Sequence, residues 1–391
     1  MIVLDLGDLG LDEGGHLLLK RALSQVPVGG RVEVCGHAPA LSVHLRGWCR
    51  AQGHEFALTD TSGAVITRGG SRVGRWRGAE RAGTSGDVVD VAPGNWGLAA
   101  RGATVEAGAP AFEFRLHQRK DLWAEEAARL YAQAAAAQWN PATAIPWNAP
   151  FDIPDEVEDA VVQVMTYLIE NETAALVIPA KFAAQVHPHF REVMQLLAIQ
   201  AADEARHIEV FTRRALLHRP HPGLSTTGGQ ASLKTLVDEP DFTLASFMLS
   251  VLGEGSFLTL LWFLHEHAPD PVTREVARLA AQDEARHVAF GLAHLTRHTA
   301  EDPTLLARLA MAVHHRHDAL AYTAGLNEEV FDALILLAAG SWQPDALRAG
   351  WERVQKLQHD MDEGRQKRLA RLGFDEAESA ALSALHTRNF M

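Results

Sequence analysis

The chain has 391 residues, of which 47% are apolar, and a formal net charge of −13. This length predicts two domains, and the acidic balance argues against nucleic acid and anionic membrane surfaces as partners. Cys35 and Cys49, the two cysteines, form no CxxC pair, so the chain encodes neither a disulfide framework nor an iron–sulfur cluster.

The first 118 residues predict a small domain followed by an extension. Residues 1–68 alternate short strand and helix patterns, which predict a small α/β sandwich domain. The predicted strands are 1–6, 31–35, 55–59 and 64–67, the predicted helices are 14–25 and 38–52, and a turn signal covers 60–63. Residues 69–118 are rich in Gly, Arg and Ala and predict a β extension or linker, with strand-like pieces at 88–91 and 111–116. The acidic N-terminus shows no signal-peptide pattern, so we expect a cytoplasmic protein.

Helical patterns dominate residues 119–391, which are predicted as one helical domain. Prolines mark several helix starts, and Pro179 is expected to kink the first long helix. The apolar run at 242–264 contains Glu254 and two glycines, so it predicts a buried bundle helix and no membrane span. The predicted helices are 120–139, 155–186, 189–219, 241–268, 271–299, 303–325, 328–339, 344–372 and 375–386.

The pentapeptide Asp-Glu-Ala-Arg-His occurs twice, at residues 203–207 and 283–287. Residues three apart on a helix share one face, so Glu204 points the same way as His207, and Glu284 the same way as His287. Both copies lie in Ala-rich, apolar sequence, where an unpaired charge would be costly to bury. A single Glu-x-x-His on a helix is most often part of a solvated face, but the exact repetition favours a metal site.

A helix with one glutamate in an apolar setting precedes each pentapeptide. Glu172 lies 32 positions before Glu204, and Glu254 lies 30 positions before Glu284. These separations match mid-helix neighbours in an antiparallel helical hairpin. The two halves together supply four carboxylates and two imidazoles, the set with which four-helix bundles hold two metal ions. Oxygen and imidazole donors suit iron or manganese.

This pattern resembles the ferritin-like di-iron carboxylate proteins over about residues 120–320. The resemblance implies a ferritin-like four-helix bundle with extra helices and a cofactor of two iron ions, with a manganese–iron pair as the alternative. It implies that one iron is bound by Glu172, Glu204 and His207, and the other by Glu254, Glu284 and His287. It further implies that Asp203 and Asp283 accept the outer N–H of the histidine from the opposite half, and that Arg206 and Arg286 pair with those aspartates.

Within that superfamily, Asp-Glu-x-Arg-His is most similar to the hydroxylating monooxygenases of the methane and toluene type. The radical tyrosine of the ribonucleotide reductase small subunit corresponds to Phe211 here. The additional histidine of the arylamine N-oxygenases corresponds to Ala280, and the threonine of the methane-type hydroxylases to Leu258. Aromatic residues at helical spacing around the ligands offer a substrate pocket or plain core; these are Tyr167, Phe211, Phe247, Phe257, Trp262 and Phe290.

Residues 3–68 resemble the TusA-type sulfur-transfer fold. The resemblance is carried by Pro-Val-Gly-Gly at 27–30 and by the stretch from Gly47 to Glu55. The nucleophilic cysteine of that family corresponds to Leu11, and a persulfide carrier needs a thiolate. We therefore expect a docking or architectural role for this domain.

These features together predict a dioxygen-activating di-iron oxygenase in which Glu172, Glu204, Glu254 and Glu284 take part in catalysis. The expected partners are dioxygen, a small organic substrate and an external electron-donor protein, because the chain encodes no flavin fingerprint; a homodimer is left open. N-oxygenation or another heteroatom oxidation at the same site is an alternative. An iron- or peroxide-handling protein, or a binding protein with a structural metal, is another.

Overall fold

A computed structural model describes residues 1–59, 63–320 and 328–385. Its contacts define two compact units, Met1–Glu80 with Thr104–Gly108, and Arg81–Ala103 with Ala109–Met391. The predicted segments 1–68, 69–118 and 119–391 stay predictions of domain organisation. Most of the predicted turn at 60–63, residues 321–325 of one predicted helix and residue 386 of another lie outside the described residues.

The first unit contains a four-stranded sheet and two helices. Strand order is β1-β2-β4-β3, with β1 parallel to β2, and with β4 antiparallel to both of its neighbours. The elements are β1 (Ile2–Asp5), α1 (His16–Ser24), β2 (Arg31–Cys35), α2 (Leu41–Gln52), β3 (Glu55–Leu58) and β4 (Ala64–Thr67). Val32 and Val34 alternate toward the core and share it with Leu45 and Cys49. Burial raises the pKa of the Cys49 thiol to about 11, so the thiolate is disfavoured at neutral pH.

The strand-like pieces predicted at 88–91 and 111–116 are wrong. This part of the second unit forms isolated bridges instead, between Val91 and Gln118 and between Leu116 and Val186. The stretch between these two pieces is rich in Gly and Ala, which supply few side chains for a packed sheet face. The chain also contains two short strands, β5 (Glu80–Arg81) and β6 (Thr104–Val105).

Helices form most of the second unit, and the predicted four-helix bundle is confirmed. In the bundle, α4 packs against α5, and the segment from α7 to α8 packs against α9. The helices are α3 (Ala127–Ala136), α4 (Asp155–Ala183), α5 (Arg191–Ala215), α6 (Thr227–Val237), α7 (Phe242–Ser246), α8 (Gly255–His267), α9 (Pro271–Glu301), α10 (Leu305–Leu320), α11 (Glu328–Ala339), α12 (Pro344–Leu372) and α13 (Glu376–Ala384). The lead-in helix α3 is shorter than the predicted 120–139, and α6 was not predicted.

A π-helical segment, Phe247–Glu254, joins α7 to α8 within one long helix. Its i→i+5 hydrogen bonds widen the turn that ends at Glu254. Gly253 lies in this segment, and Gly255 follows Glu254 as the first residue of α8.

Two helical stretches, Asp155–Ala183 and Phe242–His267, are long and apolar enough to cross a membrane. Their most apolar windows are 67% and 78% buried inside the protein, as in the core helices of soluble proteins. The apolar character of both stretches is therefore explained by their place in the bundle core.

A buried ion-pair network joins three bundle helices beyond the pentapeptide region. The Arg214 guanidinium on α5 donates to both Glu158 oxygens on α4, at 2.7 and 2.8 Å, and to Asp270 Oδ2 at 2.9 Å. Asp270 also caps α9 by accepting the Thr273 N–H at 2.8 Å. All four side chains are nearly inaccessible to solvent, so each charge depends on its partners.

Arg214→Met should destabilise the protein by about 3–5 kcal/mol, because it leaves two carboxylates buried without their cation. Urea unfolding followed by circular dichroism measures this change. Arg348→Met serves as the control, since Arg348 is largely exposed and, within the described part of the chain, pairs with Asp345 three residues earlier. Its effect should stay below about 1 kcal/mol. Equal stabilities of the two variants would contradict the proposed importance of the network.

Candidate metal centre

The bundle core contains a compact cluster of carboxylates and imidazoles. Its members come from α4, α5, the π-helical segment and α9, and none is more than 4% exposed. They are the six residues singled out in the sequence as metal ligands: Glu172, Glu204, His207, Glu254, Glu284 and His287. The structure thus brings all six side chains together.

Glu204 and Glu284 lie between the two histidines. Glu204 Oε2 is 3.1 Å from His207 Nδ1, and Glu204 Oε1 is 3.0 Å from His287 Nδ1. Glu284 repeats this arrangement, with one oxygen 3.4 Å from each Nδ1 atom. Each of these carboxylates therefore presents one oxygen to each half of the cluster.

The other two glutamates, Glu172 and Glu254, each lie near one of the two histidines. Glu172 Oε1 is 3.7 Å from His207 Nδ1, and Glu254 Oε1 is 3.9 Å from His287 Nδ1. Two overlapping groups result, and in each group one donor atom per residue lies within 4.8 Å of the others. The groups are Glu172, Glu204, His207 and Glu284, and Glu204, Glu254, Glu284 and His287.

Several donor atoms of the cluster lack hydrogen bonds of acceptable geometry with the described residues. They include both oxygens of Glu284, Glu204 Oε1, Glu172 Oε1 and His287 Nδ1. Buried polar atoms are normally hydrogen-bonded, and a carboxylate oxygen or imidazole nitrogen without such a bond is suited to bind a cation. The cluster is therefore able to bind two metal ions.

The pKa values of the cluster show the electrostatic cost of leaving it without metal. Burial raises the pKa of Glu172 and Glu254, and neighbouring carboxylates raise both further. Burial opposes charge on His207 and His287, yet the surrounding carboxylates keep both imidazole pKa values well above the usual range. The metal-free cluster thus retains protons that bound cations would displace.

Asp203 and Asp283 accept hydrogen bonds across the bundle from the outer nitrogens of the histidines. His207 Nε2 lies 3.2 Å from Asp283 Oδ2, and His287 Nε2 lies 3.3 Å from Asp203 Oδ2. This contact directs Nδ1 of each ring into the cluster. The arrangement is the crossed pairing that the family resemblance implies.

The two pentapeptide arginines bind these aspartates in different ways. Arg206 Nη2 lies 2.6 Å from Asp203 Oδ1 and 2.7 Å from Asp283 Oδ2, so one guanidinium joins both aspartates. Arg286 contacts Asp283 on its own helix and lies 3.9 Å from Asp203 Oδ2. The pseudo-twofold symmetry of the sequence is therefore broken outside the ligand set.

Two residues following α3 complete this hydrogen-bonding layer, and their role was not predicted. Gln138 Nε2 donates to Asp203 Oδ1 at 2.8 Å, and Trp139 Nε1 donates to Asp283 Oδ2 at 2.8 Å. The Trp139 ring lies beneath the Arg206 guanidinium, 4.6 Å from ring centroid to Cζ. The Pro/Trp-rich composition of this segment was the only sequence signal for its importance.

Further contacts hold Glu254 and the π-helical segment that carries it. Gln200 Nε2 donates to Glu254 Oε1 at 2.9 Å. Arg368 on α12 donates through Nε to the Val251 carbonyl of the π-helical segment at 2.7 Å. A Cβ atom on Gly255 would lie 2.3 Å from that Nε, so a larger residue at this position would displace the guanidinium.

A narrow apolar cavity of about 30 Å³ adjoins the cluster. Glu172, Glu254 and Glu284 line one side of it, and Leu233 and Leu236 of α6 line another. Of the six aromatic residues considered as a substrate pocket, Phe257 alone is among the residues that line it. Phe211, Phe247 and Phe290 are buried core residues, Tyr167 stacks on Phe257, and Trp262 is 42% exposed.

No family model and no curated protein matches the chain. Solved structures of R2-like ligand-binding oxidases are similar to it at low identity. One variant with an aerobically reconstituted Mn/Fe cofactor is 18% identical with a TM-score of 0.49, and the alignment covers 64% of this chain and 94% of that chain. The protein from Sulfolobus acidocaldarius is 16% identical with a TM-score of 0.41, covering 61% of this chain and 90% of that chain. At these values the similarity assigns neither a family nor an activity.

Asp203→Asn and Asp283→Asn should each weaken metal affinity by about 10- to 100-fold while the fold persists. Each change removes the carboxylate that orients one histidine and pairs with arginine. Competition with a chelator measures the affinity, and Asp345→Asn, at an exposed carboxylate, is the control. Wild-type affinity in both variants would mean that the aspartates do not orient the ligands.

Gly255→Ala should lower the free energy of unfolding by about 1–3 kcal/mol, because displacing Arg368 breaks the hydrogen bond that its guanidinium donates to the Val251 carbonyl. Gly253→Ala is the matched control on the same segment, since its Cβ would meet only the Met248 carbonyl, at 3.3 Å. Denaturant unfolding of both variants tests this difference. A greater loss for Gly253→Ala would contradict the assigned role of Arg368.

Proposed function

We propose that this protein is a dioxygen-activating di-iron oxygenase that oxidises a small organic substrate with electrons from an external donor protein. The observation that carries the proposal is the position of the apolar cavity, which opens directly onto Glu172, Glu254 and Glu284. A metal that served only to hold the bundle together would need no such space beside its ligands.

The donor set favours iron, with a manganese–iron pair as the alternative. All donors are carboxylate oxygens or imidazole nitrogens, which both metals accept. In this proposal Glu204 and Glu284 would help to hold both ions, while Glu172 with His207 and Glu254 with His287 would each hold one of them. Two iron ions held there would supply electrons for the reduction of dioxygen.

The residues around the cluster keep water out of the site and supply the groups that line the cavity. Burial of the cluster excludes bulk water, which strengthens electrostatic interactions and protects reactive species. Glu172 and Glu254 line the cavity, so both carboxylates can contact a molecule bound there. Hydroxylation consumes one dioxygen, two electrons and two protons and releases water; the donor protein supplies the electrons.

Heteroatom oxidation at the same site is the closest alternative, because the apolar cavity does not distinguish a carbon from a nitrogen centre. Iron or peroxide handling needs only the metal cluster. These alternatives predict different fates for the oxygen atoms, so isotope labelling separates them.

Anaerobic reconstitution with Fe(II) should load two ions per chain by elemental analysis, with proton release and with an affinity that rises with pH, because bound protons must leave the donors. Glu204→Ala should abolish the dinuclear site, since it removes a donor to both positions. The reduced protein should then consume ¹⁸O₂ and incorporate label into a substrate carbon.

The outcomes of this experiment are distinct. One ion or fewer per chain would refute the dinuclear site. Two ions without dioxygen consumption would indicate a structural metal, and consumption without labelled product for any candidate would favour iron or peroxide handling. Label on nitrogen or sulfur would identify heteroatom oxidation. Arg348→Met should behave as wild type throughout.

A further inference from the structure

A shallow groove of about 460 Å³ lies between α2 and β3 in the first unit. It is lined by Arg46, Arg50, His54, Phe56 and Leu58. The two arginines are one helical turn apart, so both side chains lie on the face of α2 that packs against β3. Leu58 is 58% exposed. The groove therefore combines positive charge with apolar surface that is open to solvent.

The two guanidinium groups of the groove carry charge that the described residues do not pair. Arg46 lies over the Phe56 ring, 5.4 Å from Cζ to the ring centroid, and Arg50 is exposed. Neither arginine forms an ion pair with any residue in the described part of the chain. Glu55 is the acidic residue next to Phe56 in β3, but its side chain points to the opposite face of the sheet because successive strand residues alternate.

His54 adds a neutral hydrogen-bond donor to the same groove. Its Nδ1 accepts the Gly69 backbone N–H at 3.0 Å, so the ring hydrogen is on Nε2. Burial lowers the pKa of His54, and the positive charges of Arg68 and Arg72 lower it further. The charged residues that act on this imidazole are therefore cations, and the local field favours an anionic partner.

The groove runs beside an edge of the sheet. β3 is the last strand in the order β1-β2-β4-β3, so β4 is its one strand partner among the described residues. The Thr59 N–H donates to the Gly63 carbonyl at 3.0 Å, in the same register as the pairing of β3 with β4. Alternate residues of an antiparallel strand direct their backbone groups away from the partner strand. The N–H and C=O groups of Phe56 and Leu58 therefore point outward from the sheet edge.

We propose that this edge and groove dock an extended, acidic segment of a partner protein. The segment would add a strand beside β3 by pairing with the outward backbone groups of Phe56 and Leu58. Its carboxylates would bind the guanidinium groups of Arg46 and Arg50.

The sheet edge favours a peptide over other anions as the occupant, because a peptide supplies the matching row of N–H and C=O groups. All residues of the groove belong to the first unit. The inference therefore goes beyond the proposed function and does not rest on the metal centre.

Selection of random dodecapeptides on the immobilised full chain identifies the preferred segment. The binders should be enriched in Asp and Glu at alternate positions, because side chains two apart on a strand share one face. Binders without an excess of acidic residues, or failure to select any binder, would overturn the inference.

Variants of two exposed arginines in the first unit locate the binding site. Arg50→Glu should weaken binding of the best selected peptide by at least about tenfold, since it replaces an attraction by a repulsion. Arg21→Glu is the matched control, because it makes the same charge change on α1, outside the groove; its effect should stay below about threefold. Fluorescence anisotropy at low ionic strength measures both affinities. Equal losses in the two variants would show a general effect of net charge and contradict the assigned site.

Two N-methylated forms of the best peptide test strand pairing on the wild-type chain, without any substitution in the protein. Each form carries methyl groups on one of the two alternating sets of amide nitrogens, and only one set can face β3. Methylation of that set should weaken binding by more than about tenfold, and methylation of the other set by less than about threefold. Equal affinities of the two forms would mean that the peptide does not bind as an added strand.

Light scattering separates docking of another protein from association between copies of this chain. The selected peptide should bind without changing the molar mass of the protein beyond its own contribution. If the peptide instead dissociates a dimer of the chain, the edge of β3 is an interface between two copies, and the proposal of a separate acidic partner is wrong.

Discussion

Four carboxylates are buried together in the bundle core, and the rest of the structure depends on how their charge is compensated. An isolated buried carboxylate is very costly, whereas a paired and hydrogen-bonded one is tolerated. Two imidazoles lie between the carboxylates, and Arg206 and Arg286 bind the two aspartates behind them. The charge is thus arranged in layers of alternating sign, and the innermost layer has room for cations. The bundle provides the rigid helices that hold these layers in place.

The sequence was sufficient to predict most of the helices and the composition of the cluster because both follow local rules. The i, i+3 spacing of Glu204 and His207 defines one face of a helix, and its repetition 80 residues later defines a second. Prolines mark helix starts at Pro271 and Pro344 because their fixed φ suits the first helical turn.

The contacts around the cluster could not be predicted, because they join segments far apart in the chain. Trp139 donates to an aspartate 144 residues away, and Arg368 donates to a carbonyl 117 residues away. Helical spacing also cannot show which aromatic side chains face a cavity, which is why the predicted aromatic set contributed only Phe257. The helix α6 escaped prediction because its first turn contains Gly228 and Gly229, and glycine disfavours helix.

The C-terminal helices take part in shaping the cluster although they supply none of its six side chains. Arg368 satisfies a carbonyl in the widened turn that ends at Glu254, and α12 packs against both α8 and α9. A definition of the functional core by ligand-bearing helices alone would omit this support. The four bundle helices and α12 therefore form one structural unit around the cluster.

The broken symmetry of the surroundings makes the two halves of the cluster chemically unequal. Glu254 lies on a π-helical turn and accepts a hydrogen bond from Gln200, whereas Glu172 lies within a regular helix. Two ions in such surroundings would experience different ligand fields and different affinities. The two positions would then fill one after the other. A centre with two different metals could form because of this order of binding, even if each position accepts both metals.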